Sequence, residues 1–159
     1  MTEDGERLTH LDDRGAAHMV DVSDKEETRR EATAQAVLGT RPDVVERLVT
    51  GDLPKGEALA VARIAAIQAA KQTSALIPLC HPLPLSAVSV DFEPAEDSVR
   101  ITATVRTTGR TGVEMEALTA ATVGALTLYD MVKGVDRAAR ITDAEVLAKS
   151  GGKSGDWRR

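Results

Sequence analysis

The sequence predicts an α+β fold in which an antiparallel sheet is covered by helices on one face. Three features of the chain lead there. Val88, Val90 and Phe92, then Val99, Ile101, Ala103 and Val105, alternate with other residues at the period of half-buried strands. Residues 93–97 between the two runs make a hairpin loop. Residues 117–129, ALTAATVGALTLY, carry no charge and are long enough for a buried helix, with Glu114 and Glu116 before them and Asp130 and Lys133 after them.

In chain order, residues 1–22 read as a polar, flexible segment, with 18–22 as a short edge strand. Ser23-Asp24-Lys25-Glu26 matches a capping box, which predicts a helix running to Leu38 and stopping at Gly39. Pro42 opens a second helix over 43–49 that ends at Gly51. After a loop at 52–56, residues 57–71, EALAVARIAAIQAAK, predict a helix with Leu59, Ile64 and Ile67 as its apolar positions. Pro78, Pro82 and Pro84 stiffen 77–85 into an extended segment, because proline donates no ladder hydrogen bond and pushes its predecessor out of the helical region. Residues 107–112 lead into the central helix, 145–149 read as a last strand, and 151–159 as a flexible glycine-rich tail. At 159 residues the chain holds one core, so 23–150 is read as a single domain.

Hydrophobic residues make up 42% of the chain but aromatics only 2%, namely Phe92, Tyr129 and Trp157. Alanine and valine must then fill the core, which permits close approach between layers. Few aromatics and a net charge of -5 argue against a stacking or basic surface for nucleic acid. An anionic ligand would have to meet a local cluster of Lys and Arg. Cys80 is the sole cysteine, so no intrachain disulfide can form and thiolates alone cannot cage zinc. The start, MTEDGERLTHLDDRG, lacks the apolar core of a signal peptide. No run reaches the ~18 apolar residues of a membrane span, and a reducing cytoplasm is the expected location.

Several groups carry chemistry beside a plainer structural reading. Thr111-Gly112-Val113-Glu114 is a capping box, which would occupy Glu114 with the Thr111 amide, whereas Glu116 lies outside the box. Two carboxylates at a helix start also suit the amino groups of a nucleobase. The helix dipole opposes Asp130, so Lys133 at i,i+3 is its expected partner, either as an ordinary ion pair or as an acid–base pair. Cys80 and His81 are adjacent in an extended segment and point opposite ways. Cys80 then reads as a small core residue and His81 as a fixed donor or acid–base group. A three-histidine metal site with His10 and His18 is weakly supported by their spacing. Residues 149–155, KSGGKSG, combine amide-exposing glycines with Lys149 and Lys153, as a phosphate loop does, although a solvated tail would look the same. Lys55-Gly56 ahead of a helix suits an anion. Arg30 reads either as the i,i+4 partner of Glu26 or as a phosphate contact.

The segments LTHLD, HMVDVS, KGEALAVARIAAIQAAK, IPLCHPL, TGVEMEALTAA, LYDMVK and LAKSGGKSGD together resemble the molybdenum cofactor biosynthesis protein C family, the cyclic pyranopterin monophosphate synthases, over nearly the whole chain. The resemblance implies a ferredoxin-like α+β fold with additional N-terminal helices. It implies a lyase that takes a cyclised GTP derivative, made by a radical-SAM partner enzyme, to cyclic pyranopterin monophosphate with release of pyrophosphate. It further implies a homo-hexamer, a trimer of dimers, with active sites between subunits. Catalytic roles fall on Asp130, Lys133, His81 and Lys55. Substrate contacts fall on Leu79, Cys80, His81, Glu114, Met115, Glu116, Arg30 and Lys149, to which the charge argument adds Lys153. No cofactor or protein-held metal is expected, though Mg²⁺ could ride on the triphosphate. A non-catalytic nucleotide-binding module is the competing reading; it predicts GTP binding without turnover.

Overall fold

Alternation decides the centre of the fold, in a segment that residue propensity assigns otherwise. In the computed structural model, which describes residues 10–159, Thr28–Gly39 forms strand β1 and not the expected helix. Ala32, Ala34, Ala36 and Leu38 are buried, while Glu31, Thr33, Gln35 and Val37 between them are half-buried on the other face. Ser23 does not cap a helix. Its amide donates to Asp21 Oδ1 (2.9 Å), and the Lys25 amide donates to the Val22 carbonyl (3.0 Å), a turn that feeds the strand.

The remaining elements are α1 (Pro42–Thr50), α2 (Ala58–Lys71), α3 (Thr73–Leu76), β2 (Leu85–Pro94), β3 (Ser98–Gly109), α4 (Glu114–Val132), β4 (Arg140–Ser150) and β5 (Trp157–Arg158). All strand pairs are antiparallel, in the order β2-β3-β1-β4-β5. β1 and β3 pair along their whole lengths, setting Ala32 opposite Val105, Ala34 opposite Ala103, Ala36 opposite Ile101 and Leu38 opposite Val99. These eight side chains are all buried and form one face. α4 lies on β1, β3 and β4, and α2 packs beside α4 and on β2. No helix precedes β1 among the described residues; of the helices expected in this half of the chain, that over 23–38 is replaced by β1, while those over 43–49 and 57–71 are α1 and α2.

Proline at the first turn and Gly51 at φ 75° bound α1 as the sequence indicates, and Val44, Val45 and Leu48 are its buried side. In α2 the inward face is alanine, Ala58, Ala62, Ala66, Ala69 and Ala70, while Ile64 is 63% exposed and Leu59 and Ile67 sit at the margin of the core. Small residues are selected because α4 lies close: a Cβ on Gly124 would stand 3.5 Å from Ala66 Cβ and 3.1 Å from Ile101 Cγ2. Leu38, Val99, Ile101 and Val105 are fully buried, each stabilising by about 1.5–3 kcal/mol.

The C-terminal end of the chain is more structured than composition implies. Residues 151–159, expected as a flexible tail, turn back so that Trp157 and Arg158 pair with Lys149 and Ala148. Residues 18–22 form no strand, although a bridge between Leu11 and Ala17 closes a small loop just before them. Residues 1–9, including Leu8 and Thr9, lie outside the described residues.

Candidate active site

The start of α4 meets the end of β4 and the turn before β1, and two adjoining cavities open there. The larger, about 700 Å³, is lined by Lys25, Arg30, Glu114, Lys149, Gly152 and Lys153 among others. The smaller, about 350 Å³, is lined by His10, Val20, Leu79, Cys80, His81, Met115 and Glu116. Lys25, Thr111, Gly112 and Glu114 border both.

Arg30 reaches the larger cavity because β1 is a strand. Its Nε donates to the Gly109 carbonyl at the end of β3 (2.9 Å), and it does not pair with Glu26 as a helix would require. Lys149, at the end of β4, donates to Ser154 Oγ and stands 3.6 Å from Glu114 Oε1. The loop between β4 and β5 is bent by Gly151, Gly152 and Gly155, all left-handed, and fastened by the Gly151 amide on Asp156 Oδ1 (3.2 Å). Lys149 and Lys153 are thereby held over one hollow.

Glu114 is not consumed by a capping box. Val113 occupies the cap position and no side chain caps the helix, so the Glu114 carboxylate is left to the cavity. Glu116, one residue after Met115, is only 4% exposed. Desolvation, reinforced by the charge of Glu114, pushes its carboxyl up to about 7. A group so placed is available as either donor or acceptor near neutral pH.

His81 donates from Nε2 to the Val20 carbonyl (2.6 Å); a carbonyl can only accept, so this nitrogen carries the proton. Cys80 is half-buried and borders the same cavity as His81, where a core position facing away was expected. Burial raises its thiol, and Glu116 raises it further, which works against a thiolate nucleophile. Among the described residues no group of three or more His, Cys, Asp or Glu side chains is placed to hold a metal, and no helix is long and apolar enough to cross a membrane.

The second cluster stands at the other end of α4. Lys133 Nζ lies 2.7 Å from Asp130 Oδ1, and Lys55 Nζ lies 2.8 Å from Oδ2. All three side chains are about half exposed, not sealed in a buried helix end. From Glu114 to Asp130 the helix advances about 24 Å at ~1.5 Å per residue. One chain therefore gathers Arg30, Lys149, Lys153, Leu79, Cys80, His81, Glu114, Met115 and Glu116 at one end and Lys55, Asp130 and Lys133 at the other. It does not bring all the cations to a single hollow. Lys25 lines both cavities without having been singled out, and His10, read from the sequence only as a weak metal ligand, lines the smaller. Reading the Ala alternation as a strand would have placed Lys25 in the turn beside Arg30.

Residues 19–152 match the MoaC family. The chain is 61% identical over 150 residues to a cyclic pyranopterin monophosphate synthase of Corynebacterium efficiens, covering 94% of this chain and 97% of that protein. It is 61% identical over 154 residues to the synthase of Streptomyces coelicolor, covering 97% and 91%. With that of Nocardioides sp. it shares 59% over 162 residues, covering 100% and 99%. A match that spans β1 to β4 and every helix, with such identities at almost full length, makes the chain a member of the MoaC family.

Proposed function

We propose that the chain catalyses the reaction its relatives are named for, formation of cyclic pyranopterin monophosphate, as a lyase of molybdenum cofactor biosynthesis. The substrate is a cyclised GTP derivative supplied by an upstream radical-SAM enzyme in the cytoplasm, and pyrophosphate is released. One observation carries the reading: Lys25, Arg30, Lys149 and Lys153 surround a cavity whose Glu114 wall is shared with the smaller cavity of Glu116 and His81. The first suits a triphosphate. The second suits a guanine-derived ring, whose amino and N–H groups the two carboxylates accept, with Leu79, Cys80 and Met115 against its faces.

Opening the purine and closing the pyrazine requires proton transfers in both directions. Lys133, kept protonated by Asp130, acts as the acid. Asp130 accepts a proton once substrate draws the ammonium away, and His81 and Lys55 complete the set. The charge that develops on departing pyrophosphate is neutralised by the lysines. No protein-held cofactor enters this scheme; a Mg²⁺ ion would arrive on the triphosphate.

The active site is completed between subunits of a homo-hexamer, a trimer of dimers. Two observations support this: the separation of the clusters along α4, and the apolar side chains left on the helical layer, with Val61 47%, Ile64 63% and Leu126 55% exposed. The strand order is also that expected of a ferredoxin-like sheet with β5 added at its edge. Mixing two inactive variants tests the arrangement. Lys133→Ala protomers reassembled with Lys149→Ala protomers should recover about a quarter of the wild-type rate, since one site in four regains both lysines on a two-fold dimer. No recovery would place each site within one chain. Pyrophosphate release from the cyclised substrate separates the enzyme from a module that only binds GTP.

A further inference from the structure

We infer that Gly112 and Gly152 are positioning residues, each leaving the space in which one charged side-chain end sits at the wall of the larger cavity. Gly112 seats the Glu114 carboxylate and Gly152 seats the Arg30 guanidinium. The inference deepens the proposed function and rests on it.

Gly152 has φ 79°, and a Cβ there would overlap Arg30 Nη1 and come within 2.9 Å of Cζ. A Cβ on Gly112 would overlap Glu114 Oε2 and come within 2.8 Å of Cδ. In both cases the obstructed atoms are the far end of a flexible side chain, so a methyl group displaces the charge; at Gly152 the left-handed φ adds backbone strain of its own, which Gly112 does not carry. Neighbouring glycines differ. At Gly151 the obstruction is the Arg29 backbone carbonyl, and at Gly155 nothing lies within 4 Å. Gly151 is thus required by the chain trace and Gly155 by its φ alone, whereas Gly112 leaves room for a functional group and Gly152 does so in addition to its left-handed φ.

Each seat is one side of a two-sided grip. The Arg30 guanidinium is held at one nitrogen by the bond from Nε to the Gly109 carbonyl, and the bare Gly152 backbone leaves space for its Nη1 and Cζ at the cavity wall. Glu114 rests across Gly112 and faces Lys149 at 3.6 Å. The two seats are independent in sequence, one before α4 and one after β4, and serve opposite charges of the same cavity.

Calorimetric titration of the full chain with GTP and with inorganic tripolyphosphate tests this. Gly152→Ala should weaken both probes about tenfold, the loss of one charge-assisted contact. Gly112→Ala should weaken GTP by a similar factor and leave tripolyphosphate no weaker. The deciding measurement is the pair of double variants: Gly152→Ala with Arg30→Ala should bind no worse than Arg30→Ala alone, and Gly112→Ala with Glu114→Ala no worse than Glu114→Ala alone. A seat acts only through the group it seats. If the losses multiply, or if either glycine variant binds as wild type does, the inference is overturned. Should Gly152→Ala melt early, adding Arg30→Ala must raise Tm again by relieving the overlap; no rise also overturns it. A wild-type chain that binds neither probe would bring down the function reading itself, and the seats with it.

Discussion

Lys55 reaches across from the loop ahead of α2 to Asp130 in the last turn of α4, with Nζ 2.8 Å from Oδ2 and 3.0 Å from the backbone carbonyl. The helix dipole disfavours an anion there. Two ammonium groups outweigh it, Lys133 on one carboxylate oxygen and Lys55 on the other. Lys55 also satisfies a carbonyl of the final turn, so the same contact closes the helix end and gathers the cluster.

This cluster has a pH signature. Hydrogen bonds from Lys133, then Lys55, hold the Asp130 carboxyl down to about 2. A carboxyl below its ordinary 3.8 adds stability above that value and loses it as pH falls through about 2. A ¹³C titration of labelled Asp130 should therefore show its midpoint near 2. In a Lys55→Ala, Lys133→Ala double variant it should move up toward 3.8. An ordinary midpoint in the wild type would mean that the lysines do not hold the carboxylate in solution.

Lys133→Ala and Asp130→Asn should each lower kcat by about 10²–10⁴-fold, the range for a lost proton-transfer group. Because all three side chains are about half exposed, oligomer mass and melting temperature should change little. Turnover of the cyclised substrate by Lys133→Ala at the wild-type rate would remove Lys133 from the chemistry.

Glu116 works in the opposite sense. Its carboxyl is pushed from 4.5 to about 7, chiefly by burial. Between those values the folded chain keeps a proton that the unfolded chain has released, so stability falls as pH rises through the window. Glu116→Gln removes the ionisation. It should flatten the slope and leave the variant more stable at pH 8 by about 1–3 kcal/mol. Urea unfolding at pH 5 and pH 8 reads both quantities, and an unchanged slope would show that Glu116 titrates as an exposed carboxylate.

The sequence showed the hairpin and α4 plainly because β2 and β3 alternate and α4 has an uncharged middle. β1 was obscured by its composition. Glu31, Ala32, Ala34, Gln35 and Leu38 are strong helix formers, and Ser23 to Glu26 imitate a cap, yet ladders on both sides of the strand override propensity. Arg30 followed that misreading, since helical spacing pairs it with Glu26 while the strand carries it to Gly109. The motifs singled out candidate residues but not where they meet. The contact of Lys55 with Asp130 spans 75 residues, and only the length of α4 shows that Glu114 and Asp130 stand far apart.

The alanine-built layer offers a test of packing that is independent of the site. Gly124 faces Ala66 and Ile101 where α4 crosses α2 and the sheet, and the closest of these atoms already leaves a new methyl little room at 3.1 Å. Ala66 is fully buried, as are Ala62 on the same helix and Ala120 and Ala121 on α4. A larger side chain cannot turn outward from this face, because α4 closes it. Ala66→Leu should therefore force the two helices apart and destabilise by about 1–3 kcal/mol, the cost of overpacking. By contrast, Ile64→Ala on the exposed side of the same helix should cost well under that in the isolated chain, because Ile64 is 63% exposed. Denaturant midpoints measured on dissociated protomers give both values. If Ala66→Leu were neutral, the α2–α4 contact would be looser than the Gly124 geometry requires. If Ile64→Ala were costly only in the assembled protein, the lost contact would lie between subunits, on the apolar helical face that the proposed dimer covers.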